Sequence, residues 1–148
     1  VENLSILIIE ARFYDENADL LLAGVTTALE KAKAKFDVVT VPGILELPAT
    51  LEFAFSPERN DGPRYDGCVV LGCAVKGETD HYEHVCREAM AGVQRVALAL
   101  KIPVGNGILT CPTWALAQNR ANVAEGDAGG RAARACLRLV ELKRSFGL

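Results

Sequence analysis

Ser5-Ile6-Leu7-Ile8-Ile9 is short, almost wholly apolar and rich in β-branched residues, and its reading decides the fold. Such a run fits a strand buried on both faces of a parallel sheet, and hence a central strand. After Glu10-Ala11-Arg12-Phe13-Tyr14, Asp15 offers a helix cap. Leu21, Val25, Ala28, Leu29 and Ala32 then recur at helical spacing, with Lys31, Lys33 and Lys35 outside. Phe36 to Val41 supplies a second strand and Pro42-Gly43 breaks it. Leu47 to Phe55 forms a short helix that accepts Pro48 in its first turn. Ser56 to Tyr65 is dense in turn formers and reads as a surface loop.

Gly67 to Val75 is a third buried strand. From Tyr82 onward Val85, Ala89, Val93, Val96 and Leu100 line one helix face, with Arg87, Glu88 and Arg95 opposite. Pro103 to Leu109 is a fourth strand and Thr113 to Asn122 a short helix. Arg131 to Arg144 is a final helix with Ala132, Cys136, Leu139 and Val140 inward. Alternating strands and helices imply right-handed crossovers, hence an α/β, three-layer αβα sandwich on a four-stranded, mainly parallel sheet. At 148 residues the whole chain, 1–148, reads as one domain.

Composition narrows the function. Half the residues are hydrophobic and 24% are charged, a balance that fills a core and argues against disorder. A net charge of −3 without a basic stripe speaks against nucleic acid. No apolar run approaches the roughly 20 residues that cross a bilayer, and no charged-then-apolar export signal is visible. Five widely spaced cysteines, mostly in apolar surroundings, speak against a disulfide framework, so the expected compartment is the reducing cytoplasm.

Ligands of such sheets bind beyond the carboxyl ends of the strands, and the chemically suggestive clusters fall there. Lys76-Gly77-Glu78-Thr79-Asp80-His81 enters a helix, where free N–H groups and the positive helix end favour an anion. A phosphate fits Gly77, Glu78 and Thr79; the same turn also reads as an ordinary loop and N-cap. His81, at the ligand-facing end, suits proton transfer near neutral pH, whereas His84 lies deeper in the helix and reads as solvated or packing. The two histidines with Glu78, Glu83 and Cys86 raise a metal site, but no second cluster completes it. Cys73 is either a nucleophile activated by His81 or a small core residue, and core packing is preferred. Glu46 suits the hydroxyls of a polar ligand or a helix start. Phe13 offers a ring face to a planar heterocycle or closes the core. Arg120 grips a phosphate or is solvated.

Several ordered motifs together resemble the lumazine synthase family. They are Ala11-Arg12-Phe13-Tyr14-Asp15, the Pro42 to Pro48 turn, Leu71 to Tyr82, Gly105-Asn106-Gly107-Ile108-Leu109-Thr110 and Asn119-Arg120-Ala121. The resemblance implies a flavodoxin-like subunit that condenses 5-amino-6-(D-ribitylamino)uracil with 3,4-dihydroxy-2-butanone 4-phosphate to 6,7-dimethyl-8-ribityllumazine, the penultimate step of riboflavin biosynthesis. Phosphate and water are released, and neither cofactor nor metal is needed. Carried over by position, Phe13 stacks on the pyrimidine, Ile44, Leu45 and Glu46 hold the ribityl chain, and Ala74 and Val75 contact the ring. Gly77, Glu78, Thr79 and Arg120 hold the phosphate, and His81 carries protons.

The resemblance further implies homopentamers, alone, paired or in sixty-subunit icosahedral capsids. Asn106 and Arg120 of one subunit then complete the site of the next, and riboflavin synthase is a functional associate. The chain departs from the common family pattern in four places. Lys76 stands for an arginine, Asp80 for a threonine or proline, and Asn106 for an aromatic. Val123 to Gly130 carries Glu125 and Asp127 in place of lysines.

Overall fold

A computed structural model describes residues 3–77 and 81–148. The strands are β1 (Ser5–Ala11), β2 (Lys35–Val41), β3 (Gly67–Val75) and β4 (Val104–Cys111). The helices are α1 (Asp15–Lys31), α2 (Leu47–Phe55), α3 (His81–Leu100), α4 (Trp114–Ala121) and α5 (Ala128–Ser145), and a single 3-10 turn spans Ile44–Glu46. The four strands form one sheet in the order β2-β1-β3-β4, and every pair is parallel. The Ser5 run is thus central, as its uniform apolarity requires.

The two-residue period of the strands sorts their side chains into two cores. Ile6, Ile8, Val69, Leu71 and Leu109 pack against α1, α4 and α5, while Leu7, Ile9, Cys68, Val70 and Ile108 face α2, α3 and the 3-10 turn. Ile6, Leu7, Ile8 and Ile9 are fully buried, each contributing about 1.5–3 kcal/mol relative to exposure. Helices α1 and α5 approach closely at Gly129, where an added Cβ would lie 2.1 Å from the Leu21 carbonyl oxygen. All helices therefore lie over the faces, and the carboxyl ends of the strands stay open.

Three local expectations are corrected. Asp15 does not cap α1: Tyr14 holds the N-cap position without a side-chain bond, and the Asp15 carboxylate turns to Arg12 at 3.3 Å. Leu139 is 40% exposed rather than inward, because the buried stripe Ala132, Ala133, Cys136, Val140 leaves it one helical step aside. The final helix begins at Ala128 rather than Arg131, since Asp127 Oδ1 accepts from the Gly130 N–H at 3.2 Å and caps an earlier start.

Candidate active site

At the carboxyl edge of the sheet lies a cavity of about 540 Å³. The loop after β1 contributes Phe13, the 3-10 turn after β2 contributes Ile44, Leu45 and Glu46, and the end of β3 contributes Ala74 and Val75. Gly77 and His81, the latter the first residue of α3, close the rim. Eight residues singled out in the sequence thus meet in one volume, on the size scale of small-molecule sites. Tyr14, Pro42, Gly43, Cys73, Tyr82 and Val85 complete the lining.

Each side chain is set by local structure. Phe13 is 72% exposed, so it closes no core; its ring stands at the cavity mouth with its edge against Tyr14, centroids 4.9 Å apart. Tyr14 in turn meets Trp114 of α4 at 5.0 Å. Ile44 is buried and seated directly over Gly72, where an added Cβ would lie 2.4 Å from Ile44 Cγ2; a glycine is required for this approach. Leu45 and Glu46 then project from the turn as exposed groups. His81 occupies the positive end of a 20-residue helix beside the cavity, a combination suited to anions and proton transfer. Glu78 and Thr79, two further candidates for phosphate, lie outside the described residues.

The rival readings fare differently. Cys73 reaches the cavity wall but is 6% exposed; burial pushes its thiol up, the hydrogen bond donated by Asn17 Nδ2 at 3.5 Å acting the other way. A neutral, buried thiol is a poor nucleophile, and core packing is the reading that holds. All five cysteines are unpaired. His84 is exposed and outside the cavity lining. Among the described residues no three His, Cys, Asp or Glu side chains converge as a metal site. No described helix is long and apolar enough to cross a membrane.

Asn106 and Arg120 do not line this cavity. Asn106 is exposed on β4, with Oδ1 accepting from the Ile108 N–H at 2.9 Å and Nδ2 3.6 Å from Met90 Sδ. Arg120 is exposed near the end of α4, where Nη1 lies 3.6 Å from Cys111 Sγ and, among the described residues, no carboxylate pairs with it. The two acids that follow have other tasks: Glu125 accepts from Asn119, and Asp127 caps α5 and pairs with Arg134 at 3.5 Å. Asp127 is thus matched by a cation, whereas Glu125, bonded to a neutral amide, keeps its negative charge in the segment after Arg120.

Sequence reading missed Glu10. It is a buried carboxylate, 4% exposed, whose Oε2 accepts from Arg12 Nε at 2.9 Å and Thr40 Oγ1 at 2.7 Å. The signal was present: an acid interrupting an apolar strand two residues before an arginine, both on one face by the strand period.

The chain is similar to known proteins along nearly its whole length. The family model for 6,7-dimethyl-8-ribityllumazine synthase matches residues 3–144. The 6,7-dimethyl-8-ribityllumazine synthase of Paramagnetospirillum magneticum is 49% identical over 145 residues, covering 97% of each chain. Those of Agrobacterium fabrum (46%, 96% of each chain) and Azorhizobium caulinodans (49%, 97% of this chain and 89% of the relative) are similarly close. With the match spanning both cores and every wall of the cavity, the chain belongs to the 6,7-dimethyl-8-ribityllumazine synthase family, condensing enzymes of riboflavin biosynthesis.

Proposed function

We propose that this chain condenses 5-amino-6-(D-ribitylamino)uracil with 3,4-dihydroxy-2-butanone 4-phosphate at the described cavity, forming 6,7-dimethyl-8-ribityllumazine with release of phosphate and water. The observation that carries the reading is the convergence of Phe13, Ile44, Leu45, Glu46, Ala74, Val75, Gly77 and His81 on one cavity in a chain matched by the family model over residues 3–144. Phe13 stacks on the pyrimidine, Ile44 to Glu46 receive the ribityl chain and Ala74 and Val75 flank the ring. Gly77, where the backbone comes bare to the cavity before α3, receives the phosphate end of the second substrate.

Modest groups suffice because the substrates bring their own reactivity. The 5-amine of the pyrimidine attacks the ketone and loses a water to give a Schiff base, phosphate is eliminated to leave an enol that becomes a ketone, and the ribityl-bearing amine adds to that ketone and loses a second water to close the ring. Each stage moves protons, for which His81 is placed at the rim, while holding both reactants in register supplies the larger share of the rate.

The site is shared between copies of the chain. Arg120, exposed and without a carboxylate partner among the described residues, reaches the phosphate of a neighbouring copy, and Asn106 faces that copy's ring pocket. A homopentamer meets this need by repeating one head-to-tail contact around a ring. Its product passes to riboflavin synthase, and its five unpaired cysteines fit the reducing cytoplasm.

The test is direct. Purified chain mixed with the two substrates yields lumazine absorbance and fluorescence above the spontaneous background, and light scattering after size exclusion gives a multiple of five copies. Product or flavin binding without catalysis would instead assign a binding protein.

A further inference from the structure

Phe13 lines the cavity as a largely exposed side chain. At 72% exposure it has little packing beneath it, so its position is inherited from the backbone of the loop between β1 and α1. That loop is tied down at Arg12. The guanidinium spends all three nitrogens on carboxylates: Nε on Glu10 at 2.9 Å, Nη1 on Asp15 at 3.3 Å and Nη2 on Asp19 at 2.8 Å. The side chains of Asp15 and Asp19 are 83% and 71% exposed, so water screens those pairs. Glu10 is different, its side chain only 5% exposed, and Oε2 is held a second time by Thr40 of β2. The Arg12 N–H also donates to the Val41 carbonyl at 3.0 Å, one residue before the Pro42-Gly43 turn that leads to Ile44, Leu45 and Glu46.

We propose that Glu10 and Arg12 are positioning residues for Phe13: the buried Glu10 carboxylate anchors Arg12, and Arg12 joins the loop bearing Phe13 to the end of β2 that leads into the Ile44–Glu46 turn. The pair touches no substrate. It sets the width of the slot in which the pyrimidine lies between two loops that have no direct covalent link. The inference rests on the proposed reaction, and it extends it by naming the device that registers one half of the cavity against the other.

Because the pair acts on the pyrimidine side, its loss separates the two substrates. Glu10→Gln keeps the shape and an acceptor for Thr40 but removes the charge; Arg12→Lys keeps the charge but cannot serve three carboxylates at once. Both are expected to raise KM for the ribitylaminouracil about tenfold, the equivalent of about 1.4 kcal/mol, and to leave KM for the butanone phosphate unchanged. Repeating each substitution in a Phe13→Ala background supplies the readout that a merely structural role would not move. If the pair works through Phe13, it then adds less than about twofold. Full additivity, equal effects on both substrates, or an unchanged KM in variants that melt like the parent overturns the proposal. The unaltered chain is assayed alongside, and its failure to make product would overturn the reaction itself and the inference with it.

Discussion

The contact between Gly72 and Ile44 links the sheet to the cavity, and Gly72→Ala tests it. An alanine Cβ would lie 2.4 Å from Ile44 Cγ2 and 3.4 Å from Ala11 Cβ. Carbon atoms rest about 3.5–4.0 Å apart, so Ile44 must retreat by roughly 1.1–1.6 Å. Ile44 is buried and begins the 3-10 turn, so it cannot swing into solvent; the turn moves with it and carries Leu45 and Glu46 out of register. Overpacking of this kind costs about 1–3 kcal/mol, and a chain of 148 residues loses roughly 2–4 °C in Tm per kcal/mol. A displacement near 1 Å at a substrate-holding turn costs about a hundredfold in kcat/KM. Thermal melts and the lumazine assay read the two quantities separately. A Gly72→Ala protein with the parent's Tm and kcat/KM would refute the close approach. A lowered Tm with unchanged kcat/KM would refute the claim that the Ile44 turn positions substrate.

Two further outcomes are expected. His81→Ala slows turnover by about a hundredfold or less without abolishing it, since proton transfer is one contribution beside positioning; steady-state kinetics without any change would remove His81 from the mechanism. Because burial keeps the Cys73 thiol above its ordinary value of 9.0, it stays protonated at pH 7, and its thiolate fraction grows only as pH rises past that value. Iodoacetamide at pH 7 should therefore leave product formation intact, with Cys73 unmodified by mass spectrometry; rapid inactivation prevented by a substrate analogue would restore the nucleophile reading.

The sheet was legible because β1 and β3 are short apolar runs too brief for a buried helix, and because the stretches between strands carry helical periodicity; β2, with Lys35, Asp37 and Thr40, is marked instead by its β-branched residues and the Pro42-Gly43 break. The cavity was legible for a related reason. Parallel strands deliver their carboxyl ends to one edge, so Phe13, the Ile44–Glu46 turn, Gly77 and His81 had to converge once the order of elements was known. Single side chains were harder. Asp15 stands where a cap belongs, yet an arginine three residues earlier competes for its carboxylate. Leu139 falls within one helical step of the buried stripe, and residue type alone does not tell the stripe from its flank. Glu10 is marked in the sequence only by its place in an apolar strand two residues before Arg12; its second partner, Thr40, is thirty residues away. Asn106 and Arg120 carry no sign within their own chain of what they serve, since their own cavity excludes them.

That exclusion leads to the most direct measurement. On the shared-site proposal, Phe13→Ala damages the side of the site that a copy supplies to itself, and Arg120→Glu the side that it supplies to its neighbour. Purified separately, both variants should be slow at substrate concentrations near the parent's KM. Dissociated, mixed in equal amounts and reassembled, they should regain about a quarter of the parent's activity, because half the contacts' Phe13 sides and half their Arg120 sides are intact and the two combine at random. If Phe13 and Arg120 served one and the same copy, every site in the mixture would carry a lesion, and activity would stay at the level of the separate variants.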